Sequence, residues 1–159
     1  MAKKNKKEEN KKVDIKNRKA AVEYSFVQEL EAGIMLTGTE IKSIRAHDAN
    51  LKDAFCYFKD NELWVKNMFI GEYKFGTYNN HETRRERKLL LKKTELKKWQ
   101  RRVTEKGFSI IPFRLYMSER GLAKLELKLA QGKKSYDKRA SIKDRENKRD
   151  MDRLKKMRL

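Results

Sequence analysis

Cys56 is the only cysteine in this chain of 159 residues, which excludes an internal disulfide framework and fits a reducing compartment. Set in Ala54-Phe55-Cys56-Tyr57-Phe58, it reads as a buried, unreactive strand thiol. His47 and His81 are the only histidines, and two imidazoles with one thiol at wide, irregular spacing make no credible zinc site. A general-base role for His81 beside Glu40 or Glu82 is conceivable, but nothing near it resembles a nucleophile or an oxyanion loop. The chain therefore reads as non-enzymatic, with no catalytic residues, metal or cofactor. No glycine-rich loop ending in Lys-Ser/Thr is present to cradle a nucleotide phosphate. No apolar run approaches the roughly 20 residues needed to span a bilayer. The opening MAKKNKKEENKK has no apolar core of a secretory signal, so a cytoplasmic location is expected.

What the chain has in excess is positive charge: 42 Lys and Arg against 23 Asp and Glu, a net charge of +19. The two ends are the most lopsided. Residues 1–20 carry nine cations and three acids, and residues 132–159 carry twelve and five. Every Trp and Phe falls between them, in the stretch from Ala20 to Ala130. One domain with a core, flanked by two cationic arms, is built to hold a polyanion, and folded RNA is the leading candidate. An anionic lipid surface fits less well, because the arms lack an aromatic or leucine face.

Along the chain, residues 1–16 are low in complexity and bury nothing to offset ordering entropy, which predicts disorder. Val22, Tyr24, Phe26 and Leu30 mark an extended segment, interrupted near Gln28 and running through Gly33 into a buried Ile34-Met35-Leu36. Thr37-Gly38-Thr39-Glu40 reads as a capping box. The helix it opens, Thr39 to Ala46, buries Ile41 and Ile44 and puts Lys42 and Arg45 together on an exposed face. Lys59-Asp60-Asn61 joins strands 53–58 and 62–70 as a hairpin, with Leu63, Val65 and Asn67 on one face and Trp64, Lys66 and Met68 on the other. A second helix begins at Thr94, buries Leu96, Trp99 and Val103, and stops at Gly107. Phe108–Met117 and Ala123–Leu129 are the last strands, and Pro112 belongs at an edge or bulge of the first. The fold class is mainly β: an oligonucleotide-binding-type antiparallel barrel over residues 17–131 with inserted helices. Residues 132–159 have no proline and no glycine after Gly132. They carry too little apolar surface to dock on the body, so the tail is expected to be disordered when free and helical when bound.

Three stretches could carry binding. Arg84–Lys93 is the densest charge on the body; Leu89–Leu91 would anchor it, so that Arg87, Lys88, Lys92 and Lys93 are held rather than floating. Tyr73, Phe75 and Tyr78 lie in a Gly/Asn-rich loop, where they either stack on unpaired bases or plug one end of the barrel. Tyr136, in a cationic tail far from any core residue, reads as an exposed ring for stacking or partner contact.

Several blocks, in order and spacing, resemble the small protein B family, the SsrA-RNA-binding proteins of bacteria. They are Asn17-Arg18-Lys19-Ala20, Glu31-Ala32-Gly33-Ile34, Leu36-Thr37-Gly38-Thr39-Glu40-Ile41-Lys42-Ser43-Ile44-Arg45, Asn80-His81-Glu82, Arg87-Lys88-Leu89-Leu90-Leu91, and Gly132-Lys133-Lys134 with Asp137-Lys138-Arg139. The resemblance implies a non-enzymatic adaptor that binds the tRNA-like domain of transfer-messenger RNA and delivers it to stalled ribosomes for peptide tagging. It implies an RNA face with Asn17, Arg18, Lys19, Glu31, Lys42, Arg45, Leu91 and Lys92, joined by Arg87, Lys88 and Lys93. It further implies a tail that folds in the vacant mRNA channel, with Gly132, Asp137, Lys138 and Arg139 matching its functional positions; Lys133, Lys134 and Tyr136 join them as candidate ribosome contacts. Partners would be that RNA, the ribosome and, through the charged RNA, elongation factor Tu, with the chain itself a monomer. Three positions depart from the family pattern: Thr83 where proline is usual, Lys92 where histidine is usual, and Tyr136 where histidine is common. The alternatives are a ribosomal protein fixed on ribosomal RNA and, in another class, an RNA-modifying or RNA-cleaving enzyme.

Overall fold

A computed structural model describes residues 12–158. The expected disorder of residues 1–11, and Leu159, lie outside the described residues. Nine strands and four α-helices follow in chain order: β1 Asp14–Lys16, α1 Arg18–Glu23, β2 Tyr24–Ile34, α2 Gly38–Arg45, β3 Ala49–Asn50, β4 Phe55–Lys59, β5 Glu62–Lys66, β6 Phe69–Ile70, β7 Arg87–Leu90, α3 Lys93–Lys106, β8 Ser109–Met117, β9 Ala123–Gly132 and α4 Ser135–Met157.

The main sheet runs β1-β8-β4-β5-β7-β2-β9, and β9 pairs back onto β8. Six strands therefore close on themselves, every pairing antiparallel, with β1 added outside on β8. Closure leaves no open edge among the six and lets alternate side chains share one interior. Leu125, Leu127 and Leu129 alternate into it, meeting Leu63, Val65, Leu89, Ile110 and Leu115. The barrel expected from the strand pattern is the fold observed.

Two bulges bend the long strands. β2 slips register on β9 between Phe26 and Gln28, and β8 slips between Pro112 and Arg114. Both were expected, near Gln28 and at the lone proline, which cannot donate to a ladder. The hairpin turn at Asp60-Asn61 has positive φ at both residues (52° and 60°), the backbone a two-residue turn between twisted strands requires. Asn67 also takes a positive φ, 61°. That shifts the side-chain phase, so Met68 is buried in place of Asn67 and the expected alternation ends at Lys66. Phe69–Ile70 then pairs with Ala49–Asn50 as a separate ribbon.

Four boundaries differ from the sequence reading. Asp14–Lys16 is a strand, because Val13 is buried and Ile15 packs on the core while the backbone pairs with β8. Val22 lies in helix α1, which Asn17 caps by accepting from the Ala20 N–H at 3.2 Å. Met35 is exposed, since the strand ends at Ile34. Helix α3 starts before Thr94: Lys92 is its N-cap, and the Glu95 carboxylate accepts from the Lys92 N–H at 3.3 Å. Its end is at the expected glycine, Gly107, with φ 66° and its N–H donating to the Val103 carbonyl.

The helix expected of the tail is present, over Ser135–Met157. It winds for 23 residues, about 35 Å at 1.5 Å per residue. An unbroken run of helix-permitting residues accounts for this. Its root is tied down: the Lys133 N–H donates to the Glu23 carbonyl, and Lys133 Nζ reaches the Ala21 carbonyl at 3.3 Å and Ser141 Oγ at 3.0 Å. Beyond that root the helix is unpacked, with Ile142, Met151, Leu154 and Met157 all exposed. Among the described residues, no helix is long and apolar enough to cross a membrane.

Candidate nucleic-acid interface

Helix α2 is held from below and charged above. Ile44 and Ser43 are buried, while Lys42 and Arg45 point outward. The anchor at its first turn is ionic. Glu40, fully buried, accepts from the Thr37 N–H at 2.9 Å, from Arg85 Nε and Nη2 at 3.1 and 2.9 Å, and from Arg87 Nε at 2.8 Å. Burial alone would push this carboxyl up. The Arg85 and Thr37 hydrogen bonds and the Arg87 charge outweigh it and hold the group below its ordinary value. Thr39 adds a second tether through its hydroxyl, 2.9 Å from Nδ1 of His81. The other ring nitrogen of His81 lies 3.0 Å from the Ile70 carbonyl. An imidazole protonated on Nε2 donates there and accepts from Thr39, so both ring nitrogens of His81 brace the fold.

From α2 the surface continues two ways. Lys42 Nζ sits 5.0 Å from the centroid of the Tyr73 ring, at the edge of the 71–80 loop. Arg45 reaches the turn between β8 and β9, its Nη2 lying 3.8 Å from where a Cβ on Gly121 would be. That turn leads to Lys124, which pairs with Gly33 across the ladder and places its ammonium 4.0 Å from Glu31. Glu31 is exposed on the outer face of β2. Its carboxylate also bears on Tyr116, whose hydroxyl is pushed up to about 12 by burial and by Glu31. Leu90 pairs with Gly33, so the antiparallel register directs Leu91 and Lys92 toward the Glu31 end of β2. Lys92 and Lys93 are exposed, while Leu91 is half-buried against the core. Glu31, Lys42, Arg45, Leu91 and Lys92 thus gather around one end of the barrel. Lys124 was missed by the sequence reading, because only the register reveals that it lies opposite Gly33.

Three expected site residues are not available at a surface, or are already engaged. Arg87 is fully buried, donating to Glu40 and, at 2.8 Å, to the Met68 carbonyl; the charge run read as one patch has its third arginine inside the protein. Asn17 is buried, and its Nδ2 donates to the carbonyls of Leu51 (3.1 Å) and Pro112 (3.3 Å) while its Oδ1 caps α1, which makes it a bracket for the chain entry. Lys88 is half-buried in an ion pair with Glu62 at 2.7 Å.

Arg18 and Lys19 open helix α1, whose last turn, at Ala21 and Glu23, receives the tail root. Lys19 is bound to Asp53 at 2.8 Å. Of the tail residues, Gly132 closes β9 opposite Tyr24, Lys133 is spent on the root, and Lys134 and Arg139 are exposed. Tyr136 is exposed, as expected of its ring; Asp137 and Lys138 are half-buried in the first turn. The two ends are separated by the length of the β2–β9 ribbon. From the Tyr24–Gly132 pair to the Gly33–Lys124 pair is about 26 Å of strand path along β9 at roughly 3.3 Å per residue.

Burial pushes the Cys56 thiol far up, as expected of an inert core cysteine. Among the described residues, no cluster of His, Cys, Asp or Glu is arranged to hold a metal ion.

A closed six-stranded barrel carrying inserted helices, with cations gathered at one end and a basic helix leaving the other, belongs to the class of oligonucleotide-binding-type barrels. The sequence model of the SmpB protein family matches residues 14–157. The SsrA-binding protein of Phocaeicola vulgatus is 56% identical over 142 residues, 89% of this chain and 95% of that protein. That of Bacteroides thetaiotaomicron is 57% identical over the same coverage, and that of Treponema denticola 46% over 147 residues, 92% of this chain and 95% of that one. In solved structures, a chain described under "tmRNA-SmpB: a journey to the center of the bacterial ribosome" is similar with a TM-score of 0.66 and 43% identity, covering 77% of this chain and 86% of that one. The chain belongs to the SmpB family.

Proposed function

We propose that this protein binds the tRNA-like domain of transfer-messenger RNA with the α2 end of its barrel and carries it to stalled ribosomes. There α4 enters the empty mRNA channel and reports that no message fills it. The relatives named above are SsrA-binding proteins, and the similar structure is described as tmRNA-SmpB in the bacterial ribosome. The observation that carries the division of labour is the separation of the two cationic ends along the β2–β9 ribbon.

At the α2 end, Lys42, Arg45 and Lys92 supply phosphate contacts, and Glu31 accepts from base or 2′-hydroxyl donors. Shape and backbone readout of this kind suits a folded RNA whose helical grooves do not expose their base edges. At the other end, α4 offers a long cationic cylinder whose exposed side chains are unclaimed by the body, a form suited to a narrow tunnel lined by RNA. The chain would act as a monomer in the cytoplasm, doing no chemistry, with elongation factor Tu joining through the charged RNA.

The test is truncation after Lys134, which keeps the whole β9 ladder and the Lys133 tether. The shortened protein should bind the tRNA-like RNA with near wild-type affinity and fail to support tagging of stalled peptides. Loss of RNA binding on truncation would overturn the division.

A further inference from the structure

The loop from Gly71 to Asn80 exposes two aromatic rings that contribute nothing to the core. Phe75 is 73% exposed and Tyr78 92%. Exposed rings on a slack loop would be unremarked, but this loop is fastened at several points. The Asn80 side chain clamps Tyr73 from both sides, its Oδ1 accepting from the Tyr73 N–H at 3.0 Å and its Nδ2 donating to the Tyr73 carbonyl at 2.8 Å. Inside that clamp the Gly76 N–H donates to the same carbonyl at 2.9 Å. A Cβ on Gly76 would lie 2.9 Å from Asn80 Nδ2, so the turn is drawn as tight as a glycine allows. The Gly71 N–H is bonded to the Asp48 carbonyl, and the braced His81 follows Asn80 directly.

Phe75 sits beside cations, directly and through Tyr73. Phe75 packs edge-on against Tyr73, with centroids 5.7 Å apart, and Lys42 of α2 covers the Tyr73 ring. Lys74 Nζ lies 5.9 Å from the Phe75 centroid. The only acid in the loop is Glu72. Flat π faces interleaved with ammonium groups match the two halves of a nucleotide, the base stacking on the ring and the phosphate meeting the cation. A fastened loop loses little freedom when the base arrives, so the stacking energy appears as affinity.

The geometry points to Phe75 and Tyr78 as a stacking platform for unpaired bases of the RNA held by Lys42 and Arg45, an inference that rests on the function proposed above. Helical nucleotides have both faces covered by their neighbours; the ligand of this platform is therefore a looped-out or single-stranded nucleotide next to the phosphates that α2 contacts.

The experiment compares the full-length wild-type protein with Phe75→Ala/Tyr78→Ala and with Tyr78→Phe, using the tRNA-like RNA as probe over a range of salt, with chemical footprinting of the RNA bases. The double alanine variant should lose affinity by on the order of tenfold per ring. Its salt slope should be unchanged, because no cation is removed, and one or two unpaired bases should lose protection. Tyr78→Phe, which keeps the ring, should bind as wild type. Because both rings face solvent, the thermal unfolding midpoint should not move. Wild-type affinity and footprint in the double variant would overturn the platform while leaving the proposed RNA binding in place. Failure of the wild-type protein to bind the RNA would overturn both. Unchanged RNA affinity with lost co-sedimentation on ribosomes would assign the rings to a ribosomal surface and equally overturn the inference.

Discussion

Glu40 and Arg87 form an ion pair at 2.8 Å with both side chains fully buried. They join the first turn of α2 to strand β7, and so set the height and angle of the helix that presents Lys42 and Arg45. Arg85, more exposed, takes the other oxygen of the carboxylate at 2.9 Å. Such a pair does little for net stability compared with a well-packed apolar substitute, but breaking it leaves an ionised group without its partner inside the protein.

Arg87→Met should therefore destabilise the fold by about 3 kcal/mol, read as a drop in the denaturant unfolding midpoint. Arg45→Ala, at the exposed face, should change the stability read from that midpoint by less than about 0.5 kcal/mol. Equal effects from the two substitutions would mean that the buried network does not hold the helix.

The same carboxylate makes a pH signature. Its folded pKa lies below the ordinary 4.5, so the folded state binds fewer protons here than the unfolded one does. The stability it contributes is fully present above pH 4.5 and is lost as the pH falls through that value toward the depressed folded pKa. Glu40→Gln should flatten this part of the acid limb of a stability-versus-pH curve. The variant should be less stable than wild type at pH 7, with the gap narrowing on acidification; a gap that stays constant down to the acid transition would count against the assignment.

Asn17→Ala removes an N-cap and takes a donor from two buried carbonyls at once. A loss of about 2 kcal/mol is expected, measured by thermal or denaturant unfolding. Asn17→Asp keeps the cap to the Ala20 N–H but sets a carboxylate oxygen against the Leu51 and Pro112 carbonyls, and so should be no more stable than Asn17→Ala. Neither change should alter the salt slope of RNA binding, since no cation is involved.

Lys42→Glu with Arg45→Glu should weaken RNA binding and lower the magnitude of the salt slope by about two, measured as log affinity against log salt. The unfolding midpoint should stay near wild type, because both side chains are exposed. Arg18→Ala with Lys19→Ala, at the α1 end, should leave the RNA affinity of the isolated protein much closer to wild type.

The strand pattern was readable because alternation over Ala123–Leu129, a turn at Asp60-Asn61 and glycine at position 107 are local signals. Each is produced by neighbours in sequence, and each is where the fold has it. The helix α2 was legible for the same reason, from its capping residues and the three-residue spacing of Lys42 and Arg45. Val22 and Met68 were misassigned because one nearby residue resets the backbone: Asn17 caps the helix that takes in Val22, and the turn at Asn67 changes the phase before Met68. Arg87 looked like its neighbours Arg84 and Lys88 in a linear string of cations. Only the fold distinguishes it, by bringing Glu40 from 47 residues away to meet it.

From its residues alone this chain was destined to be a β-rich body with cationic ends, since alternation, turn chemistry and charge density act over a few residues at a time. Tertiary structure decided which cations are tools and which are fasteners, because burial and partnership depend on what the closing barrel brings together. It also put the tail root and the Gly33–Lys124 pair at opposite ends of one β2–β9 ribbon, by way of a strand register that no local preference encodes.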